Sequence, residues 1–370
     1  MAGGTLRVVV ICIISLSVRA KRTYTTNYEQ PNDQASHELL ITSNVIMENI
    51  NRILSALAAM IIGSGGVIGL FYGANYLVAK LPRKWRSHIL PWVYTAPAIL
   101  FLLAYLVLPT LRTIYLSFLD RRSIEFVGLK NYIFAFTDDS MLIAFRNNIL
   151  WLVLVTGVSV GLGLAIAVLV DRVRYEAVAK GLIFLPMAIS FVGASVIWRF
   201  MYAYNPPGTD QIGLLNAIVT GLGFEPIGWL VNKSLNNFAL IAIMIWLQTG
   251  FCMVLLSSAV KGIPKDIIEA ARMDGANEFQ IFWRIIIPSI TSTITVVATT
   301  VIVLVLKVFD IVFVMTAGNL DTDVIASLMI KQMFNFRHFG RGSAIAVILL
   351  LAVIPIMVVN IRRFKQQENN

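Results

Sequence analysis

The sequence predicts an all-α polytopic membrane protein, and three observations carry that reading. Hydrophobic residues make up 58% of the 370-residue chain and charged residues 14%, with a mean hydropathy of +0.78; soluble domains carry about 25% charged residues. Seven uncharged runs reach or approach the ~20 apolar residues that cross a bilayer: 53–79, 89–111, 147–170, 181–198, 234–260, 285–306 and 342–361. They are long and lack polar alternation, so they read as helices and not as strands of a barrel. The 181–198 run is the shortest; a tilted helix there would use Arg199 as a snorkelling anchor.

Charge placement orients the spans. Lys80, Arg83, Lys84 and Arg86 crowd the link at 80–88, Arg172, Arg174 and Lys180 fill a second link, and Arg362, Arg363 and Lys365 follow the last run. Positive residues collect on the cytoplasmic side, so these segments, the loop around Glu269 and the C-terminus lie inside. Arg121, Arg122 and Lys130 run against this trend in a predicted outer loop, beside Asp120, Glu125, Asp138 and Asp139. The net charge of +10 is thus distributed for a membrane and its lipids, not for nucleic acid. Cys12 and Cys252 read as unpaired apolar fillers, and His37, His88 and His338 are too scattered for a metal site.

Residues 1–52 are poorly patterned. The short apolar run at 8–18 with flanking arginines faintly resembles a signal peptide, Met47 offers an alternative start, and a genuine extra segment is the third reading. The 53–79 span carries Gly65, Gly69 and Gly73 on one face, a seam for internal packing or for dimerisation. Pro91, Pro97, Pro109 and Pro186 predict kinks. Two outer loops are long. In the first, the 211–224 stretch is too short to cross, and Ile212, Leu215, Ile218, Val219 and Leu222 recur at helical spacing along the outer surface. In the second, Phe334, Phe336 and Phe339 interleave with Lys331, Arg337 and His338, as in an interfacial belt or an external contact.

The segment 261–288 is a charged, structured break between two spans, which makes it a cytoplasmic docking element. Pro264 suits a first helical turn, Asp266 complements the dipole there, and Gly275 can take a left-handed stop. Ile267, Ala270, Ala271 and Asp274 share a face, with Glu269 free to meet a basic partner residue. Phe279, Phe282, Ile285 and Ile286 would anchor a second short helix on the membrane side.

Glu269-Ala270-Ala271, then Gly275, Ile285 and Pro288 at fixed spacing, resembles the coupling-loop signature of binding-protein-dependent ABC importer permeases. Ile287 stands where that family usually has Leu, a volume-conserving change. Leu90-Pro91-Trp92, Ala96-Pro97-Ala98, the 126–132 stretch, Arg146-Asn147-Asn148, Leu185-Pro186 and Phe309-Asp310 extend the resemblance to the carbohydrate branch, the MalF/LacF-like and above all the alpha-glucoside transporter permeases. The resemblance implies a six-helix permease core over 89–363 with 53–79 as an extra N-terminal transmembrane helix. It implies a second permease subunit, cytoplasmic ATPase subunits and an extracytoplasmic solute-binding protein as partners, in a bacterial inner membrane. Glu269, Ala270, Ala271, Asp274, Gly275 and Pro288 would then form the ATPase contact.

No phosphate-binding G-x-x-x-x-G-K-[ST] loop occurs, so ATP would be bound by the partner ATPase and this chain would need no cofactor. No nucleophile–base set appears either, so no enzyme is expected. Polar groups within the membrane mark a candidate solute path: Gln248, Thr249, Thr299, Thr300 and Ser190, with Trp246 as an aromatic face. The serine and threonines can equally bond their own helix backbone. Lys307 lies about 28 Å beyond Pro288, near the outer edge of a ~30 Å core. With Asp310 it could form an anchored ion pair there, or a gate or sugar contact. The absence of a mid-membrane cluster of Asp, Glu or His argues against the rival reading, a secondary carrier or channel acting without an ATPase.

Overall fold

The computed structural model describes residues 33–80, 82–171 and 173–368. Residues 1–32, with Cys12 and the run at 8–18, and Arg172 lie outside the described residues, as do the side chains of His37, Arg83, Arg363 and Lys365. Among the described residues every regular element is helical, apart from the isolated bridge Leu119–Phe126. Five helices are long and apolar enough to cross a membrane, and two bent helix pairs bring the total to as many as seven. These are the seven apolar runs of the sequence.

The chain divides into two compact units, Met1–Leu102 and Leu103–Asn370. In the first, helices α1 (Asp33–Ala79) and α2 (Arg83–Leu102) pack together, with Phe71 stacked on Tyr94 at 5.4 Å. Among the described residues, a Cβ added at Gly65, Gly69 or Gly73 would meet no atom within 4 Å.

The second unit begins with a π turn at Leu103–Val107 and α3 (Leu108–Leu116), then α4 (Lys130–Thr137) and α5 (Asp139–Val170). The bent pair follows as α6 (Glu176–Phe184), a 3-10 turn at Leu185–Ala188 and α7 (Phe191–Met201). After α8 (Leu214–Gly221) comes α9 (Asn236–Lys261), then α10 (Lys265–Met273) and α11 (Glu278–Ile281). A π turn at Phe282–Ile286 leads through α12 (Ile287–Ser289) to α13 (Thr291–Leu306). α14 (Asp310–Thr316), α15 (Ile325–Ile330), a π turn at Lys331–Asn335 and α16 (Phe339–Glu368) complete it.

Proline chemistry explains the breaks. Proline has no N–H and crowds the carbonyl four residues earlier. Widening the preceding turn to π spacing relieves that clash. Two π turns end two residues before a proline, Leu103–Val107 before Pro109 and Phe282–Ile286 before Pro288. At Pro186 the chain bends by 101° instead of running on as the tilted helix expected for 181–198. Pro186 lies in the 3-10 turn, and Ser190, in an extended conformation, starts a new helix by accepting a hydrogen bond from Gly193 N at 3.1 Å. The second bend, 74°, separates α12 from α13.

α9 is the central helix: 67% of its most apolar window is buried, against 28% for α5 and α16. Leu240, Ile243, Met244, Leu247, Met253 and Leu256 fill the core with Trp151 and Val155 of α5 and Val297, Val301 and Val305 of α13. Two glycines set the approach distances. A Cβ at Gly163 would fall 2.6 Å from Cys252 Cβ and 2.9 Å from Met253 N. At Gly250 it would fall 2.4 Å from the Ile183 carbonyl oxygen. Gly163→Val and Gly250→Val are therefore expected to cost about 1–3 kcal/mol or more, since overpacking forces backbone shifts. Thermal unfolding in detergent should show a lowered midpoint for both, with Gly161→Val, which meets open space, as the tolerated comparison.

Candidate functional site

A cavity of about 510 Å³ opens between the Pro186 bend, α9 and the α13–α14 junction. Ser190, Phe191, Gln248, Phe251, Thr300 and Asp310 all line it. Four residues singled out in the sequence for the solute path thus converge: Gln248, Ser190, Thr300 and Asp310. Gln248 is 4% exposed, and its Oε1 finds no hydrogen-bond partner among the described residues. An unpaired buried acceptor costs free energy.

The other three path residues are placed differently. Thr249 donates to Ile245 O at 2.7 Å and Thr299 to Thr295 O at 2.8 Å, as Thr300 does to Val296 O at 2.9 Å, so all three hydroxyls serve their own helices and only Thr300 also lines the cavity. Trp246 packs edge-on against Trp198, ring centroids 5.8 Å apart, and does not line the cavity. Phe191 and Phe251 supply its aromatic walls instead. Phe251 was legible as the residue three positions after Gln248 on the same helix.

Lys307 and Asp310 form no ion pair. Lys307 caps the end of α13 and is exposed, and the chain turns at Val308 and Phe309 before α14 begins. The three-residue spacing therefore does not carry helical geometry, and Asp310 turns into the cavity alone.

On the cytoplasmic side the docking segment does form two short helices. Pro264 is the N-cap of α10, with ψ 130, so it stands just before the first turn and not within it. The helix ends in a complete Schellman motif: Ala276 N donates to Ala271 O and Gly275 N to Arg272 O, each at 3.0 Å, with Gly275 at φ +85. Asn277 and Gln280 then form a reciprocal capping box that starts α11, a signal present in the sequence but unread there. Ile268 and Ala271 pack toward the core, while Ile267, Glu269, Ala270, Met273 and Asp274 are exposed. Ala271 thus leaves the face it was expected to share with Ile267, Ala270 and Asp274. Pro288 is exposed at the bend.

A charge network fastens this segment to the membrane helices. Lys180 reaches Asp171 at 2.5 Å and Glu176 at 2.6 Å, and Ser257 of α9 donates to Asp171 at 2.8 Å. Glu176 also pairs with Lys261, the last residue of α9, and Lys180 contacts Ser257. The lysines had been read only as orientation signals; their partners lie 85 and 77 residues apart in sequence.

At the outer ends of α5 and α9, paired asparagines hold the loop between α14 and α15. Asn147 donates to the carbonyls of Asp321 and Asp323 at 2.7 and 2.8 Å, Asn236 to that of Leu320 at 2.8 Å, and Asn148 accepts from Ile325 N at 2.8 Å. The loop needs this support, because Ala317, Gly318, Leu320 and Asp321 all have positive φ. Nearby, α8 confirms a short helix within 211–224, and buried Asn216 pins it through the carbonyls of Ala203 and Ile227, each at 3.0 Å.

Broken spans around a largely apolar cavity, joined through a central helix to an exposed helix between two spans, fit a membrane permease. Residues 141–364 match the family described as "Binding-protein-dependent transport system inner membrane component", and the chain belongs to that family. It is 75% identical over 276 residues to the osmoprotective compounds uptake permease GgtC of Synechocystis sp., covering 75% of this chain and 99% of the relative. It is 51% identical over 286 residues to the alpha-glucoside transport system permease AglF of Rhizobium meliloti, covering 77% and 85%. The fold matches a bacterial ABC transporter chain involved in alginate import with a TM-score of 0.65 at 21% identity, over 76% of this chain and 99% of that one.

The protein is accordingly a multi-pass inner-membrane permease subunit of an ABC importer. As a component of a binding-protein-dependent transport system it works with a solute-binding protein, and not as a carrier or channel acting alone. Its family is one of transporter permeases rather than enzymes. Asn147→Ala should loosen the outer loop, taking a donor from the Asp323 carbonyl and leaving that of Asp321 held by Asn237 alone, at a cost of about 1–3 kcal/mol. Hydrogen exchange in peptides spanning 317–325 should accelerate about tenfold; unchanged protection would mean that the loop holds itself.

Proposed function

We propose that the solute is a neutral glycoside or a related polyhydroxylated compound, alpha-glucosides included, and that it passes through the cavity at Gln248. Gln248 in the wall of a cavity of about 510 Å³, beside Asp310 and two aromatic rings, carries this reading. Gln248 and Asp310 offer acceptors for sugar hydroxyls, Ser190 and Thr300 add polar contacts, and Phe191 and Phe251 offer apolar faces for a sugar ring. An anionic solute would meet the Asp310 carboxyl unfavourably. The names of the two relatives, one for alpha-glucosides and one for osmoprotective compounds, support the same class.

In this reading 89–363 is the six-helix core and 53–79 an added helix. Ile267, Glu269, Ala270 and Asp274 meet the ATPase, and Ala271, Gly275 and Pro288 set the angle at which they do so. ATP stays on the partner subunit. This chain binds no cofactor and makes or breaks no covalent bond; closure of the ATPase dimer rocks its helices between inward- and outward-open states.

Reconstituted vesicles containing the complete importer test both halves. Glu269→Lys and Gly275→Pro are expected to insert normally and to abolish uptake of labelled alpha-glucoside. The first reverses the docking charge; the second demands φ near −65° where the chain has +85 and removes a capping N–H. Normal uptake by both would sink the coupling assignment. Gln248→Ala removes one hydrogen-bond acceptor, worth about 0.5–1.5 kcal/mol, and should slow uptake by up to about tenfold with assembly intact. An unchanged rate and solute profile would take Gln248 out of the path.

A further inference from the structure

The outer loops contain a second cavity, about 370 Å³, that the transport path does not use. Arg121, Phe134, Asp138, Phe336, His338 and Arg341 contribute to its walls. The Arg121 guanidinium donates to the Phe336 carbonyl at 2.6 Å, and that of Arg341 lies 3.8 Å above the Phe134 ring. Neither arginine pairs with a carboxylate among the described residues. The one acid in the wall, Asp138, already accepts from Ser140 N at 3.1 Å as the N-cap of α5. Burial, then the charges of Arg341 and Arg121, push the pKa of His338 below the usual value, and its Nδ1 accepts from Arg341 N at 3.3 Å.

The cavity is rigidly mounted. Gly340, at the start of α16, sits so close to the 117–131 hairpin that a Cβ there would fall 2.1 Å from the Leu119 carbonyl oxygen. Buried Asn131 ties that hairpin together by donating to the carbonyls of Ser117 and Leu119 at 2.9 and 2.7 Å, and Phe339 N donates to Arg121 O at 3.2 Å. An interfacial belt needs only loose cations that snorkel. Here two guanidiniums are fixed in place, one of them in an outer loop where the charge bias of insertion disfavours arginine.

We propose that this cavity receives an acidic side chain of the solute-binding protein when it docks on the outer face. The family is binding-protein-dependent, so such a partner must approach from this side. Two arginine forks that form no salt bridge outnumber the single wall carboxylate, Asp138, and match a further carboxylate in charge and in geometry.

The test uses the complete importer in nanodiscs, with the solute-binding protein of the same system applied at several salt concentrations and binding followed by interferometry. Arg121→Ala and Arg341→Ala should each weaken binding about tenfold and flatten its salt dependence, because charged contacts govern both. Arg122→Ala, which removes the same charge one residue outside the cavity, should bind as wild type. Recovery of binding to Arg341→Glu by one Asp→Arg or Glu→Arg change on the binding protein would identify the occupant. Co-purification of ATPase with each variant confirms that it is folded. Wild-type affinity in both alanine variants, or an equal loss in Arg122→Ala, would overturn the proposal. So would a defect confined to discs containing anionic lipid, since the cavity would then hold a headgroup.

Discussion

The close approach of α5 and α9 at Gly163 is the contact on which the rest of the second unit depends. With no side chain at Gly163, the α9 backbone at Cys252 and Met253 lies against α5, and the two helices share most of the buried core. In a bilayer, helices gain little from burying apolar surface against one another, because lipid is equally apolar. Packing of this closeness and buried polar contacts have to supply the association. Gly250, two residues before Cys252, repeats the arrangement on another side of α9 against α6.

Once α9 is fixed, its length carries function at three levels. Its outer end holds Asn236 and Asn237, which with Asn147 grip the strained loop at 317–325. Its middle presents Gln248 and Phe251 to the cavity. Its inner end presents Ser257 and Lys261 to the Asp171, Glu176 and Lys180 network, immediately before the docking helix. One continuous helix thus runs from the paired charges at its inner end to the cavity. Lys180 and Asp171 of that network are largely shielded from water, where losing one partner leaves another charge uncompensated, while Lys261 at its edge is half exposed. A junction of this kind holds one arrangement firmly and is costly to leave half-formed.

The two bends play the complementary part. Pro186 and Pro288 interrupt spans where a straight helix would have filled the space now occupied by the cavity and by the base of the docking segment. Each break has its exposed backbone groups met locally, by Ser190 at one and by the π turn at the other. Irregular backbone at membrane depth is tolerated where it lies within protein or lines a cavity, and the Pro186 bend, whose Ser190 lines the cavity, satisfies that condition.

The sequence by itself determined the helical class, the seven spans, their orientation and the docking helix with its glycine stop. All of these follow from composition, run length and local backbone preference, which act within a few residues of one another. It also supplied Gln248, Ser190, Thr300 and Asp310 as polar groups at membrane depth. Only the tertiary structure decided that these four meet in one cavity while Thr249, Thr299 and Trp246 turn elsewhere. It alone separated Lys307 from Asp310, paired Lys261 with Glu176 and gathered Arg121 with Arg341. Such outcomes depend on where distant segments come to lie and on which way a chain turns at a helix end. A periodic pattern shows which residues share a face; what that face meets is set by packing across the whole bundle.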